Sequence, residues 1–301
     1  MNRLLLKSVN YYTIDNYGFN FKIKGNKLIS FSKNLKTKIN QRKDKFETLI
    51  WEDKIRDYTN DKEIFENIFT DNPDIYPRIY NLSNIINTKK YYLKPKMGSC
   101  GEGIQVLKGI DIRKGTFDMN KFLIQEYIEP DLINNKKYDI RLYYFVIKKG
   151  NEIRTFYSIN GKIRLCEIDY DNGGELTNSN LIKNLKKEIR DKLQGQLYNL
   201  LESEREEIYS LIKRLDIYTR ELYKSEDIGD FINLYGVDII KDSNGKYWIL
   251  EMNGNPNWHL SCDNDEIKEL KKNIFDEILN LLANVFYYAD YVLENWQEIP
   301  K

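Results

Sequence analysis

Histidine is almost absent from this sequence, since His259 is the single histidine among 301 residues. A Ser–His or Cys–His nucleophile pair therefore has one available member, and a zinc site rich in histidine is excluded. Cysteine is also scarce, and the three cysteines (Cys100, Cys166 and Cys262) form no Cys-x-x-Cys pair. This spacing argues against a disulfide framework and fits a reducing compartment. We expect chemistry that depends on Lys, Arg, Asp, Glu and a metal ion.

Long apolar runs and an excess of one charge are missing as well. The apolar segments at 4–6 and 278–293 are too short, or too often interrupted by polar residues, for a signal peptide or a membrane helix. With 47 basic and 46 acidic residues the net charge is +1, so no overall field favours nucleic acid or an anionic membrane. A composition of 41% hydrophobic and 13% aromatic residues indicates a folded chain with a sizeable core. We expect a cytoplasmic protein that binds neither nucleic acid nor membranes.

The most informative segment is FINLYGVDIIKDSNGKYWILEMNGNP at 231–256. Asn244-Gly245 lies between two β-branched and aromatic runs, which predicts a hairpin with a two-residue turn whose residues both take positive φ. In that turn Ser243 faces Lys246. Counting outward from this pair gives the register of the two strands.

Two acidic groups meet across this predicted hairpin. Asp238 falls directly opposite Glu251, and Asn253 lies two residues further on the same face. Like charges in opposition destabilise a sheet, and the expected neighbours are apolar: Ile240, Tyr247 and Ile249. Two carboxylates and an amide suit Mg²⁺, which commonly binds the phosphates of a substrate as well. A frayed hairpin end in water, or a register shifted by two residues, would remove this site.

A glycine-rich loop, KPKMGSCGEG at 94–103, joins the predicted strands Lys90 to Leu93 and Ile104 to Leu107. Pro95 favours extended geometry at Lys94, which places the ammonium group at the loop. The glycines allow backbone N–H groups to form an anion nest. Because the loop joins strand to strand, it is neither a Walker A motif nor a dinucleotide fingerprint. A lid over phosphates and an ordinary flexible hairpin both fit this pattern.

Charged residues alternate along the predicted strand 137–146, KYDIRLYYFV. The period of two places three of them on one face, Lys137, Asp139 and Arg141, and apolar residues on the other, Tyr138, Ile140, Leu142 and Tyr144. The charged face fits either a binding surface or ordinary solvation.

Further hairpins are predicted at Gly150-Asn151 and at Asn160-Gly161, and the second would place Arg164 opposite Tyr157. In the preceding strand, KFLIQEYI at 121–128, Gln125-Glu126 could offer polar groups to an adenine or lie at the surface.

Three segments have helical periodicity. Residues 181–225 and 265–293 predict amphipathic helices that serve as scaffold. A third helix is predicted to begin near Asn40, and its pattern alone places Lys43 on the solvent-exposed face.

Taken in order, these segments resemble the ATP-grasp superfamily and, more narrowly, the tubulin–tyrosine ligase family. The similar blocks are RKDKFETLI at 42–50, YPRIYNL at 76–82, KPKMGSCGEGI at 94–104, QEYIEPDLI at 125–133, KKYDIR at 136–141, NGKIR at 160–164, LTN at 176–178, LYGVDIIKD at 234–242 and WILEMNGNP at 248–256. The resemblance implies an α+β ATP-grasp fold in which antiparallel sheets with flanking helices bind a nucleotide between two lobes. The implied divisions are an N-terminal domain at 1–75, a central lobe at 76–133 and a C-terminal lobe at 134–301.

The resemblance also implies a role for individual residues, including Lys43. The implied ATP contacts are Lys43, Lys94, Gly101, Gly103, Gln125, Glu126, Tyr127, Ile128, Lys137 and Asp139. Those facing the acceptor carboxylate and the incoming amino acid are Arg141, Arg164, Thr177 and Asn178, and those holding Mg²⁺ are Asp238, Glu251 and Asn253. The implied catalytic groups are Arg141, Arg164 and Glu251.

The implied reaction is ATP-dependent addition of a free amino acid (Tyr, Glu or Gly) to an acidic protein tail such as that of tubulin, through an acyl phosphate. Two departures from the family pattern bear on the acceptor: Glu175 replaces the usual histidine before LTN, and Cys100 occupies a loop position that is often basic. A ligase for another protein or peptide is therefore an alternative. A non-catalytic module that binds ATP or tubulin is another.

Overall fold

The computed structural model describes residues 23–24, 27–28, 74–96, 103–166, 168–174, 197–198, 202–224, 231–253 and 292–300, together with helical positions 269, 273–274, 277–278 and 281. Near the N-terminus two short strands pair antiparallel, β1 (Ile23–Lys24) and β2 (Lys27–Leu28).

A four-stranded antiparallel sheet is formed from β3 (Ile79–Tyr80), β4 (Lys90–Pro95), β5 (Gln105–Lys108) and β6 (Phe122–Glu126), in the order β3-β6-β4-β5. A short helix, α1 (Gly109–Lys114), follows β5. The glycine-rich segment therefore joins two paired strands, as predicted. One face of this small sheet packs on a core of Ile85, Tyr91, Leu93, Ile112 and Ile124, so Tyr92 and Lys94 lie on the opposite face.

An eight-stranded sheet is built around the 14-residue strand β8 (Lys136–Lys149). The other strands are β7 (Leu132–Ile133), β9 (Glu152–Ser158), β10 (Gly161–Leu165), β11 (Leu197–Tyr198), β12 (Phe231–Lys241), β13 (Tyr247–Asn253) and β14 (Trp296–Ile299). A 3₁₀ turn at Tyr170–Asn172 and the helix α2 (Glu202–Tyr223) complete these elements. The prediction of antiparallel sheets with helices is confirmed by this arrangement.

The main core lies between one face of the large sheet and α2. On α2 the apolar residues recur at helical spacing, and they are fully or almost fully buried: Ile208, Leu211, Ile212 and Leu215. On β8 the predicted apolar face supplies Tyr138, Ile140, Leu142 and Tyr144 to the same core. Since each buried side chain of this size contributes about 1.5–3 kcal/mol, this core holds the opposite, charged face of β8 in place.

The predicted turn at Asn160-Gly161 is wrong. β9 and β10 do not pair with each other but with successive parts of the same edge of β8, so the chain continues past Asn160-Gly161 in one direction. Gly161 is needed for close approach, because a Cβ there would lie 2.6 Å from Leu142 Cδ2 and 3.1 Å from the Arg141 carbonyl oxygen. As a result Arg164 pairs with Asp139, whereas Tyr157 pairs with Tyr144. The other predicted turn, at Gly150, is confirmed.

The hairpin of β12 and β13 also differs from the prediction, although its most important pair is correct. The loop has three residues, because Asp242 and Lys246 form the closing pair, and Gly245 takes a φ of +89° while Asn244 does not take positive φ. An extra residue, Leu250, then shifts the register between Asp238 and Ile239. Asp238 consequently pairs with Glu251, as predicted.

The same bulge changes the neighbours of the acidic pair. Tyr247 and Ile249 belong to the main core on the opposite face of the sheet, so their predicted position beside Asp238 and Glu251 is wrong. Ile240, two residues from Asp238 on the same strand, keeps the predicted face.

Two further predictions concern the helices. Leu197–Tyr198 is a strand paired with β10, so this part of the predicted helix 181–225 is wrong, while α2 confirms the part from Glu202. In the predicted C-terminal helix, the described residues Ile274, Ile278 and Leu281 are helical and buried. Among the helices described here, none combines the length and the apolar character needed to cross a membrane.

Candidate active site

The two sheets meet at Tyr92 and Lys137, which are both buried. Lys137 Nζ donates a hydrogen bond of 2.6 Å to the Tyr92 hydroxyl. Because strand side chains alternate, Lys94 shares the face of Tyr92, while Asp139 and Arg141 share the face of Lys137. The charged faces of β4 and β8 are therefore directed toward each other.

Two arginines and two aspartates form a buried ion-pair network on this face of the large sheet. Arg164 donates to Asp139 through Nε at 2.5 Å and Nη2 at 2.7 Å, and its Nη2 is also 2.8 Å from Asp238 Oδ2. Arg141 binds Asp238 through Nε and through Nη2, the latter at 2.9 Å. Asp139 and Asp238 are only 2% and 3% exposed. Buried charges need such partners, and the alternative of a solvated charged face is excluded.

The network fixes the charge of its members. Burial by itself raises the pKa of the Asp238 carboxyl, but Arg141 and then Arg164 outweigh burial and hold that pKa below its usual value; a side-chain hydrogen bond with Glu251 acts in the same direction. Burial likewise lowers the pKa of the Arg164 guanidinium, yet Asp139 and Asp238 hold it well above its usual value. Both groups are therefore charged at neutral pH.

The residues predicted to hold a metal lie beside this network. Glu251 and Asn253 are half-buried on β13, opposite Asp238 and Gly236 respectively. The sequence argument assigned the neutralisation of Asp238 to a metal ion, whereas the structure supplies two guanidinium groups. Within the described ranges no three His, Cys, Asp or Glu side chains come together in a way that could hold a metal. A metal here would depend on two carboxylates and the amide of Asn253.

Cations and tyrosines line the facing surface of the small sheet. Lys94 Nζ and Lys137 Nζ lie 5.4 Å and 5.0 Å from the centroid of the Tyr92 ring. Tyr127 packs against Tyr92 with 5.0 Å between the ring centroids, and Lys90 Nζ lies 5.1 Å from the Tyr127 centroid. These ammonium groups give this part of the site a positive charge, which suits an anionic ligand.

Gln125 is fully buried on the same face as Tyr92, with which it pairs across the sheet. Its Nε2 donates to the Pro77 carbonyl at 3.4 Å, while its Oε1 has no hydrogen-bond partner among the described residues. The alternative of a surface-exposed Gln125 is therefore excluded. Glu126 lies on the other face and accepts a hydrogen bond from the Arg78 N–H, and Ile128 is buried.

Four of the predicted site residues lie outside the described residues: Lys43, Gly101, Thr177 and Asn178. The two departures from the family pattern, Cys100 and Glu175, lie outside as well. Gly103 is described and takes a φ of +75°, and a Cβ there would lie 2.9 Å from Pro95 Cγ. Glycine is therefore required at the end of this loop.

The family model for the "Tubulin-tyrosine ligase family" matches residues 7–223 and 181–290, which is most of the chain. The chain belongs to the tubulin–tyrosine ligase family. The resemblance of the ordered blocks is thereby confirmed. The functions of individual residues within those blocks stay predictions.

Relatives in this family are similar over much of the chain. Tubulin glycylase 3F from Tetrahymena thermophila is 28% identical in an alignment that covers 75% of this chain and 27% of that protein. A probable beta-tubulin polyglutamylase from the same organism is 28% identical over 70% of this chain and 20% of its own length. Human tubulin monoglutamylase TTLL4 is 26% identical over 70% of this chain and 19% of its own length. The chain thus spans about a fifth to a quarter of these relatives.

Two tyrosines of the site were not among the predicted residues. Tyr92 could have been found, because alternation places it between Lys90 and Lys94 on one face of β4. Tyr170 lies in the irregular segment IDYDN and had no periodic signal. Its hydroxyl nevertheless bonds to Tyr127 in this member of the family.

Proposed function

We propose that this chain is an ATP- and Mg²⁺-dependent carboxylate–amine ligase that adds an amino acid (Tyr, Glu or Gly) to the acidic tail of tubulin. Membership of the family supports this proposal, and so do relatives named tubulin glycylase and tubulin monoglutamylase. The observation that carries it is the buried pair Arg141 and Arg164 beside Asp238 and Glu251, on the same charged face as Lys137 and facing Lys94 of the small sheet.

The described residues fit a nucleotide bound between two lobes in the ATP-grasp manner. Gln125 Oε1 is a buried acceptor without a partner in the described residues, which suits the amino group of an adenine. Lys94 and Lys137 lie at the Tyr92 ring, and their positive charges would attract phosphate oxygens. Phosphate contacts are therefore assigned to these two lysines. For Lys43 and the glycine-rich loop the same assignment rests on the family resemblance alone.

The donor set of Asp238, Glu251 and Asn253 fits Mg²⁺, which prefers oxygen ligands. Asp238, Glu251 and Asn253 would together provide the protein ligands of the ion. When bound, Mg²⁺ supplies a Lewis acid that draws charge from a phosphoryl oxygen.

In the proposed reaction, the residues of this chain bind and orient the substrates. Arg141 and Arg164 present planar guanidinium groups, which suit both carboxylate and phosphoryl oxygens. The acceptor carboxylate would attack the γ-phosphate to form an acyl phosphate with loss of ADP, and the amine of the free amino acid would then displace phosphate. Lys94, Lys137 and the arginines stabilise the negative charge of the transferred group. No protein nucleophile is needed, which agrees with a chain that has one histidine.

The decisive experiment supplies the full chain with Mg-ATP, tubulin and labelled Tyr, Glu or Gly in separate reactions. We expect one of the three to label tubulin, and we expect Glu251→Gln to abolish the label. Glu207→Gln, a change at an exposed glutamate of α2, is the matched control and should keep full activity. If the chain binds ATP but no amino acid labels tubulin, the proposed acceptor is wrong. A ligase for another acceptor, or a non-catalytic module, would then be favoured.

A further inference from the structure

The hydroxyl of Tyr170 binds two residues of the segment that follows β6, including Tyr127 of the proposed nucleotide site. This hydroxyl donates to Glu129 Oε1 at 2.6 Å and lies 2.5 Å from the Tyr127 hydroxyl. A tyrosine has one O–H proton, and a carboxylate only accepts. Since the Tyr170 proton is used on Glu129, the Tyr127 hydroxyl donates to Tyr170. Burial and then the hydrogen bond to Glu129 raise the pKa of Tyr170, so the donor stays protonated.

The segment that carries Tyr170 is held in place by other contacts. The Tyr170 backbone N–H donates to the Asn135 carbonyl at 2.7 Å. Lys136 Nζ pairs with Asp169 at 2.8 Å, and Asn135 Nδ2 donates to Asp171 at 3.0 Å. The tyrosine ring is therefore positioned from the turn between β7 and β8. Removing its hydroxyl should affect the orientation of Tyr127 more than the position of this segment.

Tyr127 is in turn linked through Tyr92 to Lys137, one of the lysines assigned to phosphate. Its ring packs on Tyr92 with 5.0 Å between centroids, and the Tyr92 hydroxyl accepts the 2.6 Å hydrogen bond from Lys137 Nζ. A continuous path thus runs from Glu129 through Tyr170, Tyr127 and Tyr92 to Lys137. We propose that Tyr170 is a positioning residue for the nucleotide, which fixes Tyr127 and, through Tyr92, the ammonium group of Lys137. This inference rests on the proposed ATP-binding function.

The test compares Tyr170→Phe, Tyr127→Phe and the double variant of the full chain. Binding of a non-hydrolysable ATP analogue with Mg²⁺ is measured directly by calorimetry, and the KM for ATP, the KM for the amino acid and kcat are measured in the ligation reaction. Each single variant should bind the analogue about three- to tenfold more weakly, the range expected for loss of the hydrogen bond that Tyr127 and Tyr170 share. The KM for ATP should rise equally, while kcat and the KM for the amino acid stay unchanged.

The double variant and a matched control separate positioning from a general effect on structure. Because the two hydroxyls share one bond, the double variant should lose no more affinity than the weaker-binding single variant. The control is Tyr209→Phe, since Tyr209 is a half-buried tyrosine of α2 that stacks on Tyr157 at 5.6 Å. It should leave the affinity for the analogue unchanged.

Three results would overturn the inference: unchanged affinity in Tyr170→Phe, an equal loss in Tyr209→Phe, or full additivity in the double variant. Failure of this inference can be distinguished from failure of the proposed function. If the parent chain binds the analogue and Tyr170→Phe weakens binding, but tubulin is never labelled, the inference stands and the proposed function, ligation to tubulin, is wrong. If the parent chain binds no nucleotide, both are wrong.

Discussion

Asp238→Asn is the most direct perturbation of the arginine–aspartate network. It removes one negative charge while it keeps the size of the side chain. In the structure Asp238 is 3% exposed and takes part in three charged contacts: two with Arg141 and one of 2.8 Å with Arg164. Removal of one partner from a buried ion pair leaves the other charge without compensation.

The expected loss is concentrated at Arg141. Arg164 keeps its two hydrogen bonds to Asp139, whereas the Arg141 contacts in the described part of the chain go to Asp238. Broken buried pairs typically cost about 3–5 kcal/mol, and an asparagine oxygen can still accept one hydrogen bond. We therefore expect the free energy of unfolding to fall by about 3 kcal/mol at neutral pH.

The pH dependence has a definite sign. Burial alone would raise the pKa of Asp238, but Arg141 and Arg164 depress it in the folded protein. A depressed pKa gives stability that is fully present above the unfolded value, about 3.9, and is lost as the pH falls through the folded value. The parent protein should therefore lose stability more steeply than Asp238→Asn below about pH 4.

Urea unfolding followed by circular dichroism, at neutral pH and in steps into the acid range, measures both effects. The control is Asp74→Asn, because Asp74 is 76% exposed at its side chain and pairs with Arg214 only at 3.6 Å. That change should stay within about 0.5 kcal/mol of the parent protein. If Asp238→Asn also stays within this range, the ion-pair network does not hold the charged face of β8, and the reasoning is refuted.

Two further predictions concern the hairpin turn and the arginines. Asp242→Ala removes the acceptor for two backbone N–H groups of the turn and for the Trp248 indole, each at 2.9 Å. The free energy of unfolding should therefore fall by about 1–3 kcal/mol. The control is Ser243→Ala, and a loss in Asp242→Ala no larger than in this control would contradict the prediction. Arg164→Lys should lower kcat/KM for ligation at least about tenfold, because an ammonium group cannot bind Asp139 and Asp238 through a planar fork. Arg154→Lys, at a surface pair with Glu298, is its control, and equal activity of the two variants would contradict the assignment.

The strands that carry the site could be predicted because their faces differ in polarity. Along β8 the period of two separated Lys137, Asp139 and Arg141 from the buried face, and the structure confirms that division. The alternation of charged and apolar residues does not reveal which side chain each charged residue pairs with. The pairing of Arg164 with Asp139 arises because β10 continues from β9 along the same edge of β8. In the sequence, a glycine that permits this close packing cannot be distinguished from a glycine in a turn.

Irregular segments were beyond prediction for another reason. Tyr170 is placed by hydrogen bonds to the turn at Asn135 and by Glu129, which are contacts between parts of the chain with no shared periodicity. The strand β14 likewise depends on pairing with β9. Such contacts are specified by the tertiary structure and not by a local pattern.

The hairpin shows why the acidic pair needs a bulge. A one-residue change in register moves every side chain of a strand to the other face. With the three-residue loop alone, Glu251 would fall opposite Val237, a core residue, and an unpaired carboxylate would be buried there at a cost of several kcal/mol. The extra residue Leu250 reverses the alternation, so that Ile249 stays in the core while Glu251 pairs with Asp238. The bulge is thus the local feature that lets one strand serve both the core and the proposed site.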